Sequence, residues 1–250
     1  MPPRFFVDQA LTAGRAIELP APVARHVQVL RLQPGAALTL FNGEGGEWAA
    51  QVLRIGRAEV EVSVLEHRPA DRELRLQVTL ALGMPANERM DALVEKACEL
   101  GVGTVQPLVT ERSVLRLSGE RAERKRAHWQ AIAAAACEQC GRSVVPQVAP
   151  VRGLPAWAQS LGPAREDELR WLLSVAEAPP LRDAWHALAD IAKLRQVLLL
   201  SGPEGGLSAG EEALARSGLG CTPVSLGPRV LRADTAPLAA LAQLALLSGG

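Results

Sequence analysis

The sequence predicts an α/β protein in which a small unit of β-strands precedes a larger, mostly parallel sheet with helices on both faces. Three observations support this fold class. Apolar residues alternate with a period of two up to about residue 66, which is typical of half-buried strands. Beyond residue 73, strand and helix patterns alternate along the chain, as they do in parallel sheets. The chain has 250 residues, 48% of them hydrophobic, which is enough to bury two cores.

Short alternating runs define the strands of the first unit, which begins near Arg4. Apolar residues take every second position in three runs: Leu38 and Leu40; Trp48, Ala50 and Val52; and Val60, Val62 and Val64. The segment 41–48 joins two of these runs, and its Asn and Gly residues favour the positive φ angles of a hairpin. It lacks the spacing of a dinucleotide-binding fingerprint, and no helix follows it. We therefore predict an all-β unit with a hairpin at 41–48.

A charged segment at 66–73 that contains a proline marks the predicted boundary between two domains. After it, strands are predicted at 74–82, 104–109, 144–148, 170–176, 196–201 and 222–226. Helices are predicted between them, with ends at Gly101, Gly141, Leu161 and Gly218, and a last apolar helix covers 236–247. Ligands of such sheets bind in the loops beyond the carboxyl ends of the strands.

Composition and charge exclude several classes of protein. The 27 basic and 27 acidic residues balance, so indiscriminate coating of nucleic acid, which needs a basic excess, is disfavoured. No run reaches the roughly 18 to 20 apolar residues of a membrane-spanning helix. The first residues lack the layout of a secretion signal. We expect a cytoplasmic protein with reduced cysteines and no membrane association.

Two loops rich in glycine follow predicted strands. In the first, 198–211, an apolar strand enters a loop of Gly, Pro and one carboxylate, and Ser208 with Glu211 forms a capping box for the next helix. Its glycines would let the backbone approach a ligand closely, although a simple tight turn explains the spacing equally well. The second, 226–236, carries two Arg between a strand and a helix, and Asp234 or Thr235 is the predicted N-cap.

Two other motifs contain reactive side chains. Glu111 and Arg112 come just after a predicted strand, where ligand sites of α/β proteins collect. Cys137 and Cys140 form a C-x-x-C that closes a helix at Gly141. A redox motif would instead open a helix, where the dipole lowers the thiol pKa, and zinc would need two more ligands at matching spacing. We therefore expect neither redox chemistry nor a metal at these cysteines.

Taken together, these motifs resemble the RsmE family, the 16S ribosomal RNA uridine N3-methyltransferases. The resemblance rests on ELGV at 99–102, ERSV at 111–114, CEQCGR at 137–142, GPEGGLS at 202–208, and LGPRVLR followed by TA within 226–236. It implies a PUA-like β-barrel that binds RNA at 1–72 and a SPOUT methyltransferase domain at 73–250. It also implies a trefoil knot near the carboxyl terminus and a homodimer, neither of which composition or periodicity could indicate.

The resemblance implies S-adenosylmethionine as cofactor, no metal, and the small ribosomal subunit or its 16S RNA as partner. The implied cofactor-binding residues are Ser174, Val175, Leu200, Ser201, Gly202, Pro203, Glu204, Gly205, Gly206, Leu226, Gly227, Val230, Leu231 and Thr235. Arg112 and Arg232 are candidates for stabilising charge on the uracil, and Glu111 or Glu204 for accepting its proton. The candidate RNA contacts are Arg4, Arg116, Arg124, Arg126, Arg142 and Arg229.

The family resemblance further implies uridine 1498 of the decoding region as the methylated nucleotide. Two alternatives stay open at the level of sequence. The chain could be a non-catalytic RNA-binding factor of ribosome assembly that keeps the fold, or a SPOUT methyltransferase that acts on another RNA nucleotide. Cofactor affinity separates the first alternative from an enzyme, because an assembly factor has no use for an intact GPEGG loop.

Overall fold

The structure, a computed structural model, describes residues 2–249, and these residues form two compact units. The first unit combines the chain up to Glu73 with Ala134–Val145. The second combines Leu74–Ala133 with the chain from Pro146 onward. The sequence patterns give no sign that a segment near residue 140 belongs with the first unit.

The first unit is built on one five-stranded sheet. Its strands are β1 (Arg4–Phe6), β2 (Ala16–Glu18), β3 (Ala37–Phe41), β4 (Glu47–Ile55) and β5 (Val60–Arg68). They are arranged in the order β1-β3-β4-β5-β2. β1 runs parallel to β3, and the other neighbours are antiparallel. The predicted hairpin is confirmed, because residues 42–46 join β3 to β4 and three glycines there have positive φ.

The prediction of an all-β first unit is wrong in one respect, since the helix α1 (Ala21–Val29) lies between β2 and β3. A proline in its first turn starts the helix. Ala24 and Val27 are buried among the inward side chains of the sheet. The helix has only nine residues, too few for its period of 3.6 to stand out between short strands.

The second unit contains a parallel sheet of seven strands. They are β6 (Gln77–Gly83), β7 (Thr104–Val109), β8 (Gln147–Val148), β9 (Arg152–Gly153), β10 (Glu168–Leu173), β11 (Gln196–Ser201) and β12 (Thr222–Val224). The order is β12-β10-β11-β6-β7-β8, and β9 also pairs with β7. Every neighbouring pair is parallel, which confirms the predicted α/β class. The trefoil knot stays a prediction.

Helices connect these strands. They are α2 (Asn87–Glu99), α3 (Gly119–Cys140), α4 (Leu154–Leu161), α5 (Leu181–His186), α6 (Ala209–Ala213) and α7 (Thr235–Leu247). A short 3₁₀ helix covers Ile191–Lys193, and a π-helical turn, Leu214–Gly218, continues α6. The last residues of α3 belong to the first unit. The sequence patterns predict α2, α3, α4 and α7 but miss α5, which has only six residues.

The central strand β11 explains why the sheet is parallel and covered on both faces. Val197 to Leu200 are all buried, so both faces of this strand lie in apolar surroundings. Next to it, Trp171 of β10 packs edge-on against Trp185 of α5, with 6.4 Å between the ring centroids. The predicted strand at 144–148 is shorter than expected, because Pro146 cannot donate to a ladder and β8 begins only after it.

In the second unit, the guanidinium of Arg170 on β10 is buried and makes several hydrogen bonds. Its side chain is 2% exposed, and it forms a two-pronged ion pair with Glu168 at 2.9 Å. It also donates to the carbonyl oxygens of Gly162, Pro163 and Leu219. Burial alone would raise the pKa of the Glu168 carboxyl, but hydrogen bonds from Arg170 and the Arg165 amide outweigh burial and hold this pKa below its usual value.

Arg170→Met is expected to lower the free energy of unfolding by about 3–5 kcal/mol, because it leaves a buried carboxylate and three carbonyl groups without their donor. Urea denaturation of both proteins at neutral pH measures the loss. Because the pKa of Glu168 is lowered in the folded state, its contribution is present above the ordinary carboxyl pKa and disappears as the pH falls through the folded value. The difference between the two proteins should therefore shrink in acid.

Arg182→Met is the matched control, since the ion pair of Arg182 with Asp183 is exposed. We expect a change within about 0.5 kcal/mol for this variant. Equal losses for Arg170→Met and Arg182→Met would contradict the role given to the buried pair.

Candidate functional site

The carboxyl ends of three neighbouring strands open into one cavity of about 610 Å³. Residues 172–175 at the end of β10, 201–207 at the end of β11 and 226–232 after β12 line it, together with Arg89 of α2 and Arg112. Its volume falls within the range of ordinary ligand sites. The cavity lies where the topology of a parallel sheet places a binding site.

The loop 201–207 turns sharply and needs glycine at several positions. The Gly206 amide donates to the Pro203 carbonyl at 2.8 Å, and Gly206 has a φ of +68°. A Cβ on Gly202 would lie 2.9 Å from the Leu207 nitrogen, and one on Gly205 would lie 3.0 Å from Cβ of Arg112. The loop therefore packs closely on its neighbours and presents backbone to the cavity.

Two charged side chains fix this loop from opposite directions. An Oε of Glu204 accepts a hydrogen bond from the Ala86 amide at 3.2 Å and lies 3.5 Å from Nη1 of Arg89. Nη1 of Arg112 donates to the carbonyl oxygens of Gly205 at 3.0 Å and Leu207 at 3.2 Å. The loop is thus held both by the start of α2 and by the segment after β7.

The predicted capping box at the start of α6 is confirmed. Oγ of Ser208 accepts from the Glu211 amide at 3.3 Å, and Oε2 of Glu211 accepts from the Ser208 amide at 2.9 Å. The other oxygen of Glu211 accepts from the backbone amide of Glu111 at 2.9 Å. The sequence pattern predicts the capping box but not this second contact, because the contact depends on a segment 100 residues away.

The loop 226–232 is more open than the other two. Gly227 has a φ of +105° and no neighbour near its missing Cβ. Val230 is 81% exposed although it lines the cavity. The backbone amides of Val230 and Leu231 donate no hydrogen bond within residues 2–249. This loop therefore offers unpaired donors and an apolar side chain to a ligand.

The arginines of this loop are the uncommitted charges of the site. Arg229 and Arg232 both line the cavity and are exposed. Their side chains make neither a hydrogen bond nor an ion pair with the part of the chain that the structure describes. The start of α7 follows at once, with Asp234 in the N-cap position. This position confirms the predicted N-cap residue, although the Asp234 side chain makes no capping hydrogen bond within the described residues.

The structure brings together most of the residues that the sequence predicts for a cofactor. Those that line the cavity are Ser174, Val175, Ser201, Gly202, Pro203, Glu204, Gly205, Gly206, Leu226, Gly227, Val230 and Leu231. Leu200 is fully buried in β11, and Thr235 is exposed in the first turn of α7; neither lines the cavity. Among the predicted catalytic residues, Arg232, Arg112 and Glu204 line it, and Glu111 precedes Arg112.

The arginines predicted to contact RNA belong to both units, and those of the second unit take different positions in it. Only Arg229 lines the cavity. Nη2 of Arg116 donates to the Glu111 carbonyl at 2.6 Å. On α3, Arg124 lies 3.7 Å from Glu120 and Arg126 lies 2.9 Å from Glu123, which is the pairing expected on a solvated helix face.

Arg4 and Arg142 lie in the first unit, and both guanidinium groups are paired there; the Arg142 side chain is buried, and the Arg4 side chain is 13% exposed. Arg4 forms an ion pair with Glu47, donates to the carbonyl oxygens of Gly141 and Arg142, and lies over the Phe41 ring. Arg142 is 4% exposed and forms an ion pair with Glu73. Phosphate contacts need an accessible guanidinium, so this pairing favours a structural role for both residues, and an RNA contact by either one stays a prediction.

Sequence reasoning missed several residues of the cavity. They are Arg89, Leu172, Leu173, Leu207, Glu212, Pro228, Ala233 and Ala236. Arg89 could have been found, because it lies in the first turn of the helix after β6, at the same edge of the sheet. The side chain of Glu212 gave no such signal, since a carboxylate in the first turn of a helix is explained by the helix dipole alone.

The remaining sequence motifs have little metal-binding or redox character. Within residues 2–249, no three His, Cys, Asp or Glu side chains are grouped as a metal site. A hydrogen bond with Cys137, together with burial, raises the pKa of the Cys140 thiol, which disfavours the reactive thiolate. None of the described helices is both long enough and apolar enough to cross a membrane.

Comparison with known protein families covers nearly the whole chain. The RNA methyltransferase domain family matches residues 72–245, and the RNA methyltransferase PUA domain family matches residues 19–65. Among curated proteins, ribosomal RNA small subunit methyltransferase E of Bacillus subtilis is 30% identical over 250 residues, covering 96% of this chain and 95% of the relative. The enzyme of that name from Synechocystis is 36% identical over 217 residues, covering 87% of this chain and 68% of the relative.

The chain belongs to the RsmE family of RNA methyltransferases. Solved structures agree with this assignment. The RsmE protein of Neisseria gonorrhoeae, crystallised with S-adenosylmethionine, superposes with a TM-score of 0.89 at 33% identity and covers 99% of this chain and 98% of its own. A structure from Legionella pneumophila, also with this cofactor bound, gives 0.88 at 33% identity, with coverage of 98% and 97%. The PUA-like and SPOUT-like architecture is therefore confirmed.

Gly83→Ala is expected to lower the free energy of unfolding by about 1–3 kcal/mol. Gly83 ends β6, and a Cβ there would lie 2.5 Å from Cδ and 2.7 Å from the nitrogen of Pro203, so the 201–207 loop of this RsmE-family protein would have to move. Gly56→Ala is the control, because its Cβ would lie 3.6 Å from the nearest atom, the Glu59 carbonyl oxygen, which is an ordinary contact, and its φ is not positive. Urea denaturation compares them, and equal midpoints would contradict the close packing described.

Proposed function

We propose that this RsmE-family protein transfers a methyl group from S-adenosylmethionine to N3 of a uridine in the RNA of the small ribosomal subunit. The family resemblance favours uridine 1498 of the decoding region. The observation that carries the proposal is the cavity at the strand ends, where glycine backbone, apolar side chains and two unpaired arginines meet. Relatives with the same fold and about one third of the same residues hold this cofactor.

The residues of the cavity fit such a cofactor. The unpaired amides of Val230 and Leu231 can donate to a purine ring, and apolar side chains such as Leu172 and Leu226 can cover its faces. The glycines of the 201–207 loop line the cavity, and their backbone can contact a ligand without an intervening side chain. When bound, the cofactor supplies an electrophilic methyl group on a sulfonium, which needs no metal for its transfer.

The chain must help N3 of the uracil to lose its proton, since N3 is mostly protonated at neutral pH. Glu204 already accepts from Ala86 and lies beside Arg89, so it is a poor acceptor. Glu111 does not itself line the cavity, but it directly precedes Arg112, which does. We favour Glu111 because its carboxylate has no partner within residues 2–249. To Arg232, which is exposed and unpaired at the cavity, we assign the stabilisation of negative charge on a uracil oxygen.

Arg112 has a different role in this proposal from the one its position in the sequence suggests. Its guanidinium donates to two carbonyl groups of the cofactor loop, so we assign it to shaping that loop. RNA contacts are left to accessible arginines, of which Arg229 is nearest the cavity. We further propose that the PUA-like domain at 1–72 contributes to RNA binding and that the SPOUT domain at 73–250 carries the chemistry.

A homodimer also belongs to the proposal. The carboxyl-terminal helix α7 is apolar around most of its circumference, and Leu246 is 84% exposed. An apolar helix with an exposed leucine is favoured at a subunit interface.

Transfer of a labelled methyl group tests the function directly. Purified protein is incubated with labelled S-adenosylmethionine and small ribosomal subunits that lack the modification, with and without a chelator. We expect label in the RNA in both cases. Binding of the cofactor without transfer to any RNA would instead support the non-catalytic assembly factor, and label on another nucleotide would support a different RNA specificity.

Gly205→Val is expected to weaken S-adenosylmethionine binding by at least about tenfold, because its side chain would displace Arg112 and narrow the backbone approach. Titration calorimetry measures the affinity. Gly210→Ala is the control: its Cβ would lie 3.9 Å from Oγ of Ser208, an ordinary contact, and affinity should be unchanged. If Gly205→Val binds as well as the wild type, the loop is only a turn.

Arg232→Ala is expected to lower the single-turnover rate by about 100-fold at saturating cofactor and RNA, while cofactor affinity stays nearly intact. Arg232→Lys should recover little, because lysine keeps the charge but loses the planar fork. Arg182→Ala, an exposed arginine that does not line the cavity, is the control. A normal rate for Arg232→Ala would remove this residue from the catalytic set.

A further inference from the structure

Glu211 is a buried carboxylate whose two oxygens contact two different segments of the chain. The residue is 4% exposed. Oε2 accepts from the Ser208 amide and Oε1 accepts from the Glu111 amide, each at 2.9 Å. No Lys or Arg forms an ion pair with it in the part of the chain that the structure describes. Burying a carboxylate without a cation is costly unless amides replace water.

A capping role alone does not require this arrangement. A capping box needs only one carboxyl oxygen, on the amide of the N-cap residue. In this chain the second oxygen reaches the segment after β7 and makes what we call the inter-loop hydrogen bond, from the Glu111 amide to Glu211. The buried charge therefore joins the segment 110–116 to the start of α6.

The segment 110–116 is itself a rigid turn. The Thr110 amide donates to Oγ of Ser113 at 3.0 Å, and Nη2 of Arg116 donates to the Glu111 carbonyl at 2.6 Å. The Glu111 residue is thus held at its amide by Glu211 and at its carbonyl by Arg116. Its orientation is fixed from both directions, and so is the starting point of the Arg112 side chain.

The contacts between the two loops run in both directions. Glu211, just after the cofactor loop, accepts from the backbone beside Arg112, and Arg112 donates back to the carbonyl oxygens of Gly205 and Leu207. If the inter-loop hydrogen bond is lost, Arg112 loses the support that aims it at the cofactor loop. Two interactions that depend on one geometry should be energetically coupled.

We propose that Glu211 is a positioning residue, which sets the shape of the cofactor loop through Glu111 and Arg112. This proposal rests on the proposed function, because it assigns the 201–207 loop to the cofactor. The consequence is that Glu211 affects cofactor affinity although it does not line the cavity.

Two variants separate the inter-loop hydrogen bond from helix capping. Glu211→Gln leaves one acceptor oxygen for two amides. Because a capping box accepts either Glu or Gln at this position, we expect the oxygen to stay on the Ser208 amide and the NH₂ group to face the Glu111 amide. Ser208→Ala removes the capping hydroxyl and leaves the inter-loop hydrogen bond in place. Each of these two variants loses a capping or buried polar contact and is expected to lower the stability of the protein. The melting temperature of each variant is therefore measured together with its cofactor affinity.

Titration calorimetry with S-adenosylmethionine gives the decisive comparison. We expect Glu211→Gln and Arg112→Ala each to weaken binding about tenfold, and the double variant also about tenfold rather than a hundredfold. Ser208→Ala should bind within about twofold of wild type, and its effect should add independently to that of Arg112→Ala. Unchanged affinity in Glu211→Gln, or independent effects of Glu211 and Arg112, would overturn the proposal.

Amide hydrogen exchange supplies a readout that needs no cofactor. The Glu111 amide should be protected in the wild type and in Ser208→Ala, and should lose protection in Glu211→Gln. An unprotected Glu111 amide in the wild type would also overturn the proposal. If Glu211→Gln fails to fold, Glu211→Asp replaces it, because the shorter carboxylate cannot reach both amides. Absence of cofactor binding by the wild type would defeat the proposed function, whereas the exchange experiment still decides the inter-loop hydrogen bond.

Discussion

The parallel register of β6, β10, β11 and β12 is the constraint on which the site depends. Leu172 pairs with Leu200, Leu173 with Val224, and Ser201 with Leu82, so these strands end at nearly the same level. β11 is buried on both faces, as expected for a central strand of a parallel sheet covered by helices. The loops after β10, β11 and β12 must therefore meet at one edge, and a cavity forms where they diverge.

Within this frame, the glycine-rich loop after β11 takes its shape from polar contacts with its neighbours. Glu204 connects it to the start of α2, and Arg112 connects it to the segment after β7. Glu204 and Arg112, which the sequence analysis gives as candidate catalytic residues, are therefore largely engaged in hydrogen bonds that shape the backbone of this loop. The exposed and unpaired charges lie instead on the loop after β12, at Arg229 and Arg232. Their guanidinium groups are available to contact a substrate.

The sequence was sufficient for the fold class, the main strands and most of the cavity lining, because these follow from apolar periodicity and from motifs at strand ends. It was insufficient for contacts made through tertiary approach. The sequence alone marks Arg4 and Arg142 as candidate RNA contacts, yet Arg4 forms an ion pair with Glu47, and Arg142, which is buried, forms one with Glu73. The second contact of Glu211 was equally hidden, since local spacing explains the residue completely as a helix cap.

The central claim, methylation at N3 of a uridine in small-subunit RNA, is tested most directly by mass spectrometry of nucleosides from that RNA. Subunits are isolated from cells that lack the gene and treated with purified protein and S-adenosylmethionine, and the modified fragment is then sequenced. The account predicts that 3-methyluridine is absent before treatment and present at a single position afterward. A different methylated nucleoside, or unmodified RNA despite bound cofactor, would contradict it.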